Sequence, residues 1–234
     1  MSLALPFVGR RKESAQLQRL HAERKHALIL GPAGVGKTTL VNHLKEKLDV
    51  VMCPQSEHLG SICDSLEEAL GLGADGLKLI QRKRRLRAAL AETGRTIVFD
   101  GLSWGTPKLS SFLESVMQNV PMWICARSEH PWDVGHFWTL LVRFEKVELH
   151  PFLPAETRTL ARAVIESGLI PAGAINIVER LHQRSNGIPL VLRELFEELA
   201  AHSYDLTNPH ALRRLDLGRR IHEIFPMALA HGSR

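Results

Sequence analysis

Short runs of apolar residues alternate along the chain with longer segments in which apolar residues recur every three or four positions. That longer spacing predicts amphipathic helices, because it places the apolar side chains on one helix face. The short runs predict five β-strands, at residues 28–30, 49–53, 96–100, 121–126 and 144–149. The last of these alternates apolar and polar side chains, so we expect it at a sheet edge. The alternation of strands and helices indicates an α/β fold with a parallel sheet.

The strand pattern stops after residue 150, and the rest of the chain has a helical pattern. Residues 155–167, 172–185 and 189–201 predict three helices, and residues 209–225 predict one more. We therefore predict three parts of the chain. They are an α/β domain at residues 1–150, a helical lid domain at 151–204 and a helical tail at 205–234.

The turn after the first strand is rich in glycine and leads into a lysine and two threonines. Gly31, Gly34 and Gly36 allow backbone conformations that a Cβ would forbid, so that N–H groups can converge on phosphate at a helix N-terminus. The pattern matches a P-loop and predicts Lys37 at the β- and γ-phosphates and the Thr38 hydroxyl on Mg²⁺. We predict ATP or ADP with Mg²⁺ as the cofactors. The predicted phosphate-binding residues are Pro32, Ala33, Gly34, Val35, Gly36, Lys37, Thr38 and Thr39.

Two later strands end in charged residues. Asp100 ends the third predicted strand, which looks like a Walker B strand, and we predict that it holds Mg²⁺ together with Thr38. Arg127 follows the fourth predicted strand. Ligands of open α/β sheets lie off the carboxyl ends of the strands, so we predict that Arg127 approaches the γ-phosphate. Lys37, Asp100 and Arg127 are the predicted catalytic residues.

A third motif precedes the P-loop. Phe7, Val8, Gly9 and Arg10, with Glu13 three residues later, resemble the N-terminal box of AAA+ and STAND-type ATPases, which include origin-recognition-like and NB-ARC-like modules. The resemblance implies that Phe7 and Val8 lie near the adenine and that Gly9 permits a close approach. It also implies a P-loop NTPase fold with a five-stranded parallel sheet in the order 5-1-4-3-2 and a small, all-helical C-terminal lid.

Two further segments carry the same resemblance. Residues 147–156 resemble the linker that leads into the lid of these ATPases, and residues 185–192 resemble their Gly-x-Pro segment. The resemblance implies that Pro189 lies against the adenine or ribose. The tail after residue 204 is too short for the winged-helix domain and sensor repeats of full STAND proteins. If the chain is complete, we expect any receptor, effector or DNA-reading module to be absent or supplied by another protein.

The residue after Asp100 departs from the pattern of the family. Many AAA+ enzymes have a glutamate there that polarises the attacking water, whereas this chain has Gly101. We therefore expect slow hydrolysis, because no neighbouring residue replaces that glutamate. The resemblance implies an ATP hydrolase that acts as a nucleotide-dependent molecular switch, with an unknown protein partner or a second copy of itself. In the STAND group, the place of Arg127 is similar to the sensor 1 position.

Charge adds an alternative function. The chain has 30 Lys and Arg against 25 Asp and Glu, for a net charge of +5. The densest basic group lies in the helix predicted over residues 77–92 and consists of Arg82, Lys83, Arg84, Arg85 and Arg87. These residues form either a solvated helix face or a contact for DNA or an acidic partner. The alternative function is a DNA-associated ATPase of the initiator or transposition-helper type. A P-loop kinase is less favoured, because no short arginine-rich lid follows the core.

Other sequence features bear on metal binding, membrane association and the cellular compartment of the protein. Cys53, Cys63 and Cys125 lack metal-type spacing, so we predict reduced, packed thiols and no zinc site. No apolar stretch approaches 18 residues, and the N-terminus lacks the features of a signal peptide. These observations predict a cytoplasmic protein without a membrane partner. The aromatic-rich residues 132–141 predict a core segment or a partner surface rather than a cofactor site.

Overall fold

The computed structural model describes residues 3–53, 58–73, 76–101, 104–202, 204, 206 and 215. The chain divides into two compact units. The α/β unit comprises residues 10–150, and the helical unit combines the described residues of 1–9 with those from 151 onward. The predicted roles of a lid at 151–204 and a tail at 205–234 stay predictions.

A parallel sheet of five strands forms the centre of the α/β unit. The strands are β1 (Ala27–Leu30), β2 (Val50–Cys53), β3 (Thr96–Asp100), β4 (Met122–Ala126) and β5 (Glu145–Glu148). Their order is β2-β3-β4-β1-β5, which is the predicted order 5-1-4-3-2 read from the opposite edge. The prediction of the sheet is therefore confirmed, including the edge position of β5. Because β4 lies between β1 and β3, the P-loop and Asp100 belong to strands that are not neighbours.

Seven helices are described in the α/β unit, and they surround the sheet. They are α1 (Arg11–Ala22), α2 (Lys37–Lys45), α3 (Leu59–Ala69), α4 (Leu79–Thr93), α5 (Pro107–Met117), α6 (Pro131–Val134) and α7 (Trp138–Leu141). Leu28, Phe99 and Ile124 belong to one buried cluster with apolar residues of α3, α4 and α5. Successive strand residues point to opposite faces of a sheet, so Ile29 and Cys125 point away from this cluster.

The aromatic-rich segment over residues 132–141 divides between core and surface. Phe137 and Leu140 are each 2% exposed and belong to the sheet's buried cluster. Trp132 and Trp138 are instead 88% and 47% exposed. The short helices α6 and α7 therefore pack through one side and present indole rings to solvent on the other.

The helical unit contains α8 (Pro154–Glu166), a 3-10 helix (Ala172–Ile177), α9 (Val178–Ser185) and α10 (Pro189–Ala201). The helical segment predicted at residues 172–185 is divided, because its first six residues form a 3-10 helix and the rest form α9. The six residues Ala-Gly-Ala-Ile-Asn-Ile include a glycine, an asparagine and two β-branched residues, all weaker helix formers than alanine. The helix predicted at 209–225 lies outside the described residues except for Leu215, which is buried in the core of this unit.

The cysteines agree with the sequence prediction, since Cys53, Cys63 and Cys125 are free and buried. In the described part of the chain, no three His, Cys, Asp or Glu side chains gather as a metal-binding group. Among the same residues, no helix is both long and apolar enough to cross a lipid bilayer.

Candidate functional site

The glycine-rich loop connects β1 to the first turn of α2. Gly34 and Gly36 have φ values of 74° and 100°, in the left-handed region that favours glycine. Gly31 is required for a different reason: a Cβ there would lie 2.5 Å from the Leu149 carbonyl oxygen and 2.9 Å from Val35 Cγ1. The backbone after β5 therefore packs directly on the start of the loop. α2 begins at Lys37, so the loop leads into a helix N-terminus, where backbone N–H groups and the helix dipole favour anions.

The Lys37 ammonium lies within this loop. Its Nζ donates hydrogen bonds to the carbonyl oxygens of Gly31, at 2.6 Å, and Pro32, at 3.0 Å. Partial burial lowers the pKa of Lys37; the Arg127 charge acts in the same direction, whereas Cys125 and Asp100 oppose it. Asp100 and Arg127 are thus both near enough to act on the Lys37 ammonium through their charges. A phosphate entering the loop would supply the anion that the half-buried ammonium lacks.

Asp100 ends β3 beside β4, where its register partner is Cys125. Burial and the neighbouring Asp100 carboxylate raise the pKa of the Cys125 thiol above its usual range, so the thiol stays protonated and can donate to Asp100. Thr38 is the second residue of α2 and is exposed. One hydroxyl and one carboxylate fit Mg²⁺, which prefers oxygen ligands and keeps several waters or phosphate oxygens in its coordination sphere. The assignment of Thr38 and Asp100 to the metal stays a prediction.

Arg127 is exposed and lines a cavity of about 340 Å³ off the carboxyl ends of three strands. The cavity walls are the end of β1 with the first two loop residues (30–32), the segment after β4 (residues 127–130), and the end of β5 with the two residues after it (148–150). Arg127 and the first loop residues therefore face one space. This edge of the sheet is where open α/β folds bind their ligands.

Four predicted nucleotide contacts, Phe7, Val8, Gly9 and Pro189, belong to the helical unit. Val8 packs against the core of that unit, and Pro189 is the first residue of α10. Their predicted roles at the base and ribose stay predictions.

The two segments that resemble the linker and the Gly-x-Pro motif meet within the helical unit. The Phe152 N–H donates a hydrogen bond of 2.8 Å to the Gly187 carbonyl. Gly187 has a φ of 70°, and a Cβ there would lie 2.2 Å from the Phe152 carbonyl oxygen. Glycine is therefore required at the close approach of these segments.

Arg10 lies against the P-loop, a role that the sequence pattern alone did not predict. Arg10 is 6% exposed. Its Nη2 donates to the carbonyl oxygens of Val35, at 3.0 Å, and His150, at 2.7 Å, and its Nη1 donates to Glu13 at 3.2 Å. The sequence signal for this role was the Gly9-Arg10 pair followed by Glu13 upstream of the loop.

The basic group of α4 is partly engaged within the protein. Arg82 donates to both oxygens of Glu67, and Arg85 donates to Glu67 and to the Gly73 carbonyl. The Arg82 hydrogen bonds are the largest cause of the lowered pKa of Glu67. Arg84 and Arg87 are exposed and Lys83 is partly exposed. The charge that faces solvent is therefore smaller than the sequence indicates.

A family model described as an AAA domain matches residues 20–119, which include the loop, Lys37 and Asp100. No curated protein sequence matches the chain. Solved structures match more of the chain than the family model does, including residues of both units.

Three solved structures illustrate this similarity. Cdc6p from Pyrobaculum aerophilum has a TM-score of 0.67 at 14% identity, over 85% of this chain and 63% of its own. The Orc1 protein of Aeropyrum pernix, solved in complex with DNA, has a TM-score of 0.63 at 15% identity. The match covers 94% of this chain and 66% of the Orc1 chain. The third is a Signal Transduction ATPase with Numerous Domains (STAND) from Pyrococcus horikoshii, which has a tetratricopeptide repeat sensor. It has a TM-score of 0.51 at 18% identity, and the match covers 92% of this chain and 33% of the STAND chain.

Together these matches show that the chain has the P-loop NTPase fold that Cdc6p and Orc1 share. The chain spans less than two thirds of the Cdc6p and Orc1 chains that it resembles.

Proposed function

We propose that this protein binds ATP with Mg²⁺ and acts as a nucleotide-dependent molecular switch that hydrolyses ATP slowly. One observation carries the proposal: the P-loop with Lys37, Asp100 and Arg127 all follow or end neighbouring strands at the same edge of the sheet, at the carboxyl ends of β1, β3 and β4. This combination of a glycine-rich loop, a fixed cation and an acidic strand end is the arrangement that P-loop NTPases use for phosphoryl transfer.

Each residue has a distinct part in this proposal. The loop N–H groups and Lys37 bind the phosphates, and Arg127 approaches the γ-phosphate. Thr38 and Asp100 hold Mg²⁺, which neutralises charge on the β- and γ-phosphates when bound. Gly101 supplies no carboxylate to orient water, which supports slow turnover.

A switch requires that ATP and ADP favour different conformations, because a ligand shifts an equilibrium only by its difference in affinity for the two states. We propose that the two nucleotides present different surfaces to a partner. The fold similarity to a STAND protein supports this interpretation, since that protein is described as a signal transduction ATPase.

Isothermal titration calorimetry with Mg-ATP tests the binding step. The wild type should bind ATP, and Lys37→Ala should not. Lys45→Ala is the matched control, because Lys45 lies at the other end of the same helix and is exposed. A wild type without ATP affinity would contradict the proposal.

A DNA-associated ATPase is the second candidate. It is supported by the solvent-facing basic residues Lys83, Arg84 and Arg87 and by the fold similarity to an Orc1 protein solved with DNA. The intramolecular pairing of Arg82 and Arg85 limits the contact to these three residues of the basic group.

A further inference from the structure

A histidine side chain accepts a backbone hydrogen bond at the amino end of the sheet. His26 directly precedes β1, and its Nδ1 accepts a hydrogen bond of 3.1 Å from the N–H of Met122, the first residue of β4. Ala27 is the register partner of Trp123, so Met122 lies level with His26, one residue before the paired part of these two strands. The ring therefore takes the place of a backbone carbonyl as the acceptor for this N–H.

His26 is joined to β5 as well as to β4. Its carbonyl oxygen accepts a hydrogen bond of 3.1 Å from the N–H of Glu145, the first residue of β5. Its ring lies beside that of Phe144, with 5.2 Å between the ring centroids. Met122 is fully buried and Phe144 is 6% exposed. One residue thus joins the starts of three adjacent strands, two of which lead to the P-loop and to Arg127.

The donor of the Met122 hydrogen bond fixes the protonation state of the His26 ring. A backbone N–H can only donate, so Nδ1 must offer a lone pair and the ring proton must be on Nε2. A second proton can bind only at Nδ1, where it would meet the Met122 N–H. The charged imidazolium is therefore incompatible with this hydrogen bond.

The surroundings of the ring also disfavour its charged form. Partial burial is the main cause of the lowered pKa of His26, and the positive charge of Arg143 adds to it. The Arg143 guanidinium lies 3.5 Å from a carboxylate oxygen of Glu114, and the Glu145 carboxylate lies 2.7 Å from Lys25 Nζ. The carboxylates of these neighbours are thus engaged with cations other than His26.

We propose that His26 is a pH-sensitive switch of the α/β unit, which ties β4 to β1 while its ring is neutral and releases the Met122 N–H when its ring is protonated. This inference does not depend on the proposed ATPase function. The unfolded chain binds the proton at the ordinary pKa of 6.5, whereas the folded chain binds it only at lower pH. The stability contributed by neutral His26 is therefore fully present above pH 6.5 and is lost as the pH falls to the folded-state pKa. Acid thus reduces the folded population of the unit that carries the P-loop.

The test compares urea denaturation of the full-length wild type, His26→Asn and His26→Leu over a pH series. The asparagine Oδ1 can accept the Met122 hydrogen bond without titrating, whereas leucine offers no acceptor. From about pH 7.5 to about pH 5.5, the unfolding constant of the wild type should rise at least about threefold relative to that of His26→Asn, because one proton changes such a constant by up to about tenfold per pH unit. His26→Leu should be less stable than His26→Asn at neutral pH, because it leaves a buried N–H unpaired.

His136→Asn is the matched control, because His136 is an exposed histidine of the same unit. Its unfolding constant should keep the pH dependence of the wild type. The same pH dependence in His26→Asn and wild type would overturn the proposal. A change in His136→Asn as large as that in His26→Asn would overturn it too, since the effect would then belong to histidines in general.

Nitrogen NMR of the wild type keeps the test valid if the variants do not fold. At neutral pH, His26 should be the tautomer with its proton on Nε2, and it should titrate with a midpoint below 6.5. The opposite tautomer, or a titration midpoint at or above 6.5, would contradict the switch.

Discussion

The guanidinium of Arg10 donates a hydrogen bond of 3.0 Å to the carbonyl oxygen of Val35, in the P-loop. The same Nη2 donates to the His150 carbonyl, at the end of the α/β unit, at 2.7 Å. Arg10 itself has a φ of 58°, an uncommon conformation for a residue with a side chain. One buried cation thus holds the phosphate-binding loop against the last residue of the α/β unit.

Replacing Arg10 should weaken both the fold and nucleotide binding. Arg10→Met leaves the carbonyl oxygens of Val35 and His150 without this donor, at a cost of about 1–3 kcal/mol in the free energy of unfolding. Affinity for Mg-ATP should fall as well, because the loop loses an anchor. Urea denaturation and calorimetry measure the two effects. The neighbouring exposed Arg11→Met is the control, and equal behaviour of the two variants would show that the Arg10 contacts contribute little.

The fold was predictable because its signals are local. Apolar runs indicated the strands, and the resemblance of short motifs to AAA+ and STAND ATPases supplied the strand order. The Arg10 contacts were not predictable in this way, since they join residues 25 and 140 positions apart. The pairing of Arg82 with Glu67, which are 15 positions apart, likewise depends on how α3 packs against α4.

The roles of Lys37 and Asp100 predict different consequences of their removal. Lys37→Ala should abolish ATP binding, because it removes the fixed cation from the loop. Asp100→Ala should reduce hydrolysis more than affinity, because its predicted ligand is Mg²⁺. Calorimetry with Mg-ATP and single-turnover hydrolysis separate these effects. Undiminished ATP affinity in Lys37→Ala would refute the assignment of the loop.

The DNA hypothesis predicts unequal effects of the basic residues on α4. Replacing Lys83, Arg84 and Arg87 with glutamine should lower DNA affinity and reduce the salt slope by up to about 0.9 for each phosphate that is no longer neutralised. ATP binding should be unchanged. Fluorescence anisotropy with labelled duplex DNA over a salt series measures both quantities. If the wild type shows no salt-dependent binding, the DNA hypothesis fails.

We expect the hydrogen-bonded pair of Arg82 and Glu67 to make a contribution to folding stability that is lost in acid. Hydrogen bonds from Arg82 lower the pKa of Glu67 below the ordinary value of 4.5. The contribution is therefore fully present above pH 4.5 and is lost as the pH falls through the lower, folded-state pKa. Arg82→Gln should reduce stability at neutral pH and flatten this acid dependence. Urea denaturation over a pH series from neutral to acid measures how the free energy of unfolding depends on pH. Arg84→Gln is the control, because Arg84 is exposed. An unchanged acid dependence in Arg82→Gln would exclude this pair as its source.

Gly101 offers a direct test of why hydrolysis is slow. Its φ of 85° lies in the left-handed region, so a side chain there should cost about 1–2 kcal/mol of stability. Gly101→Gln carries the same backbone cost without a charge, which makes it the control for Gly101→Glu.

The carboxylate of Gly101→Glu would stand where AAA+ enzymes hold their water-polarising glutamate. Since acid–base groups typically contribute about 10²–10⁴ in rate, single-turnover hydrolysis should be at least tenfold faster in Gly101→Glu than in Gly101→Gln. Equal rates in the glutamate and glutamine variants would mean that the strand end directs the new side chain elsewhere. A wild-type rate above about 1 s⁻¹ would contradict slow turnover itself, because it lies within the usual enzyme range.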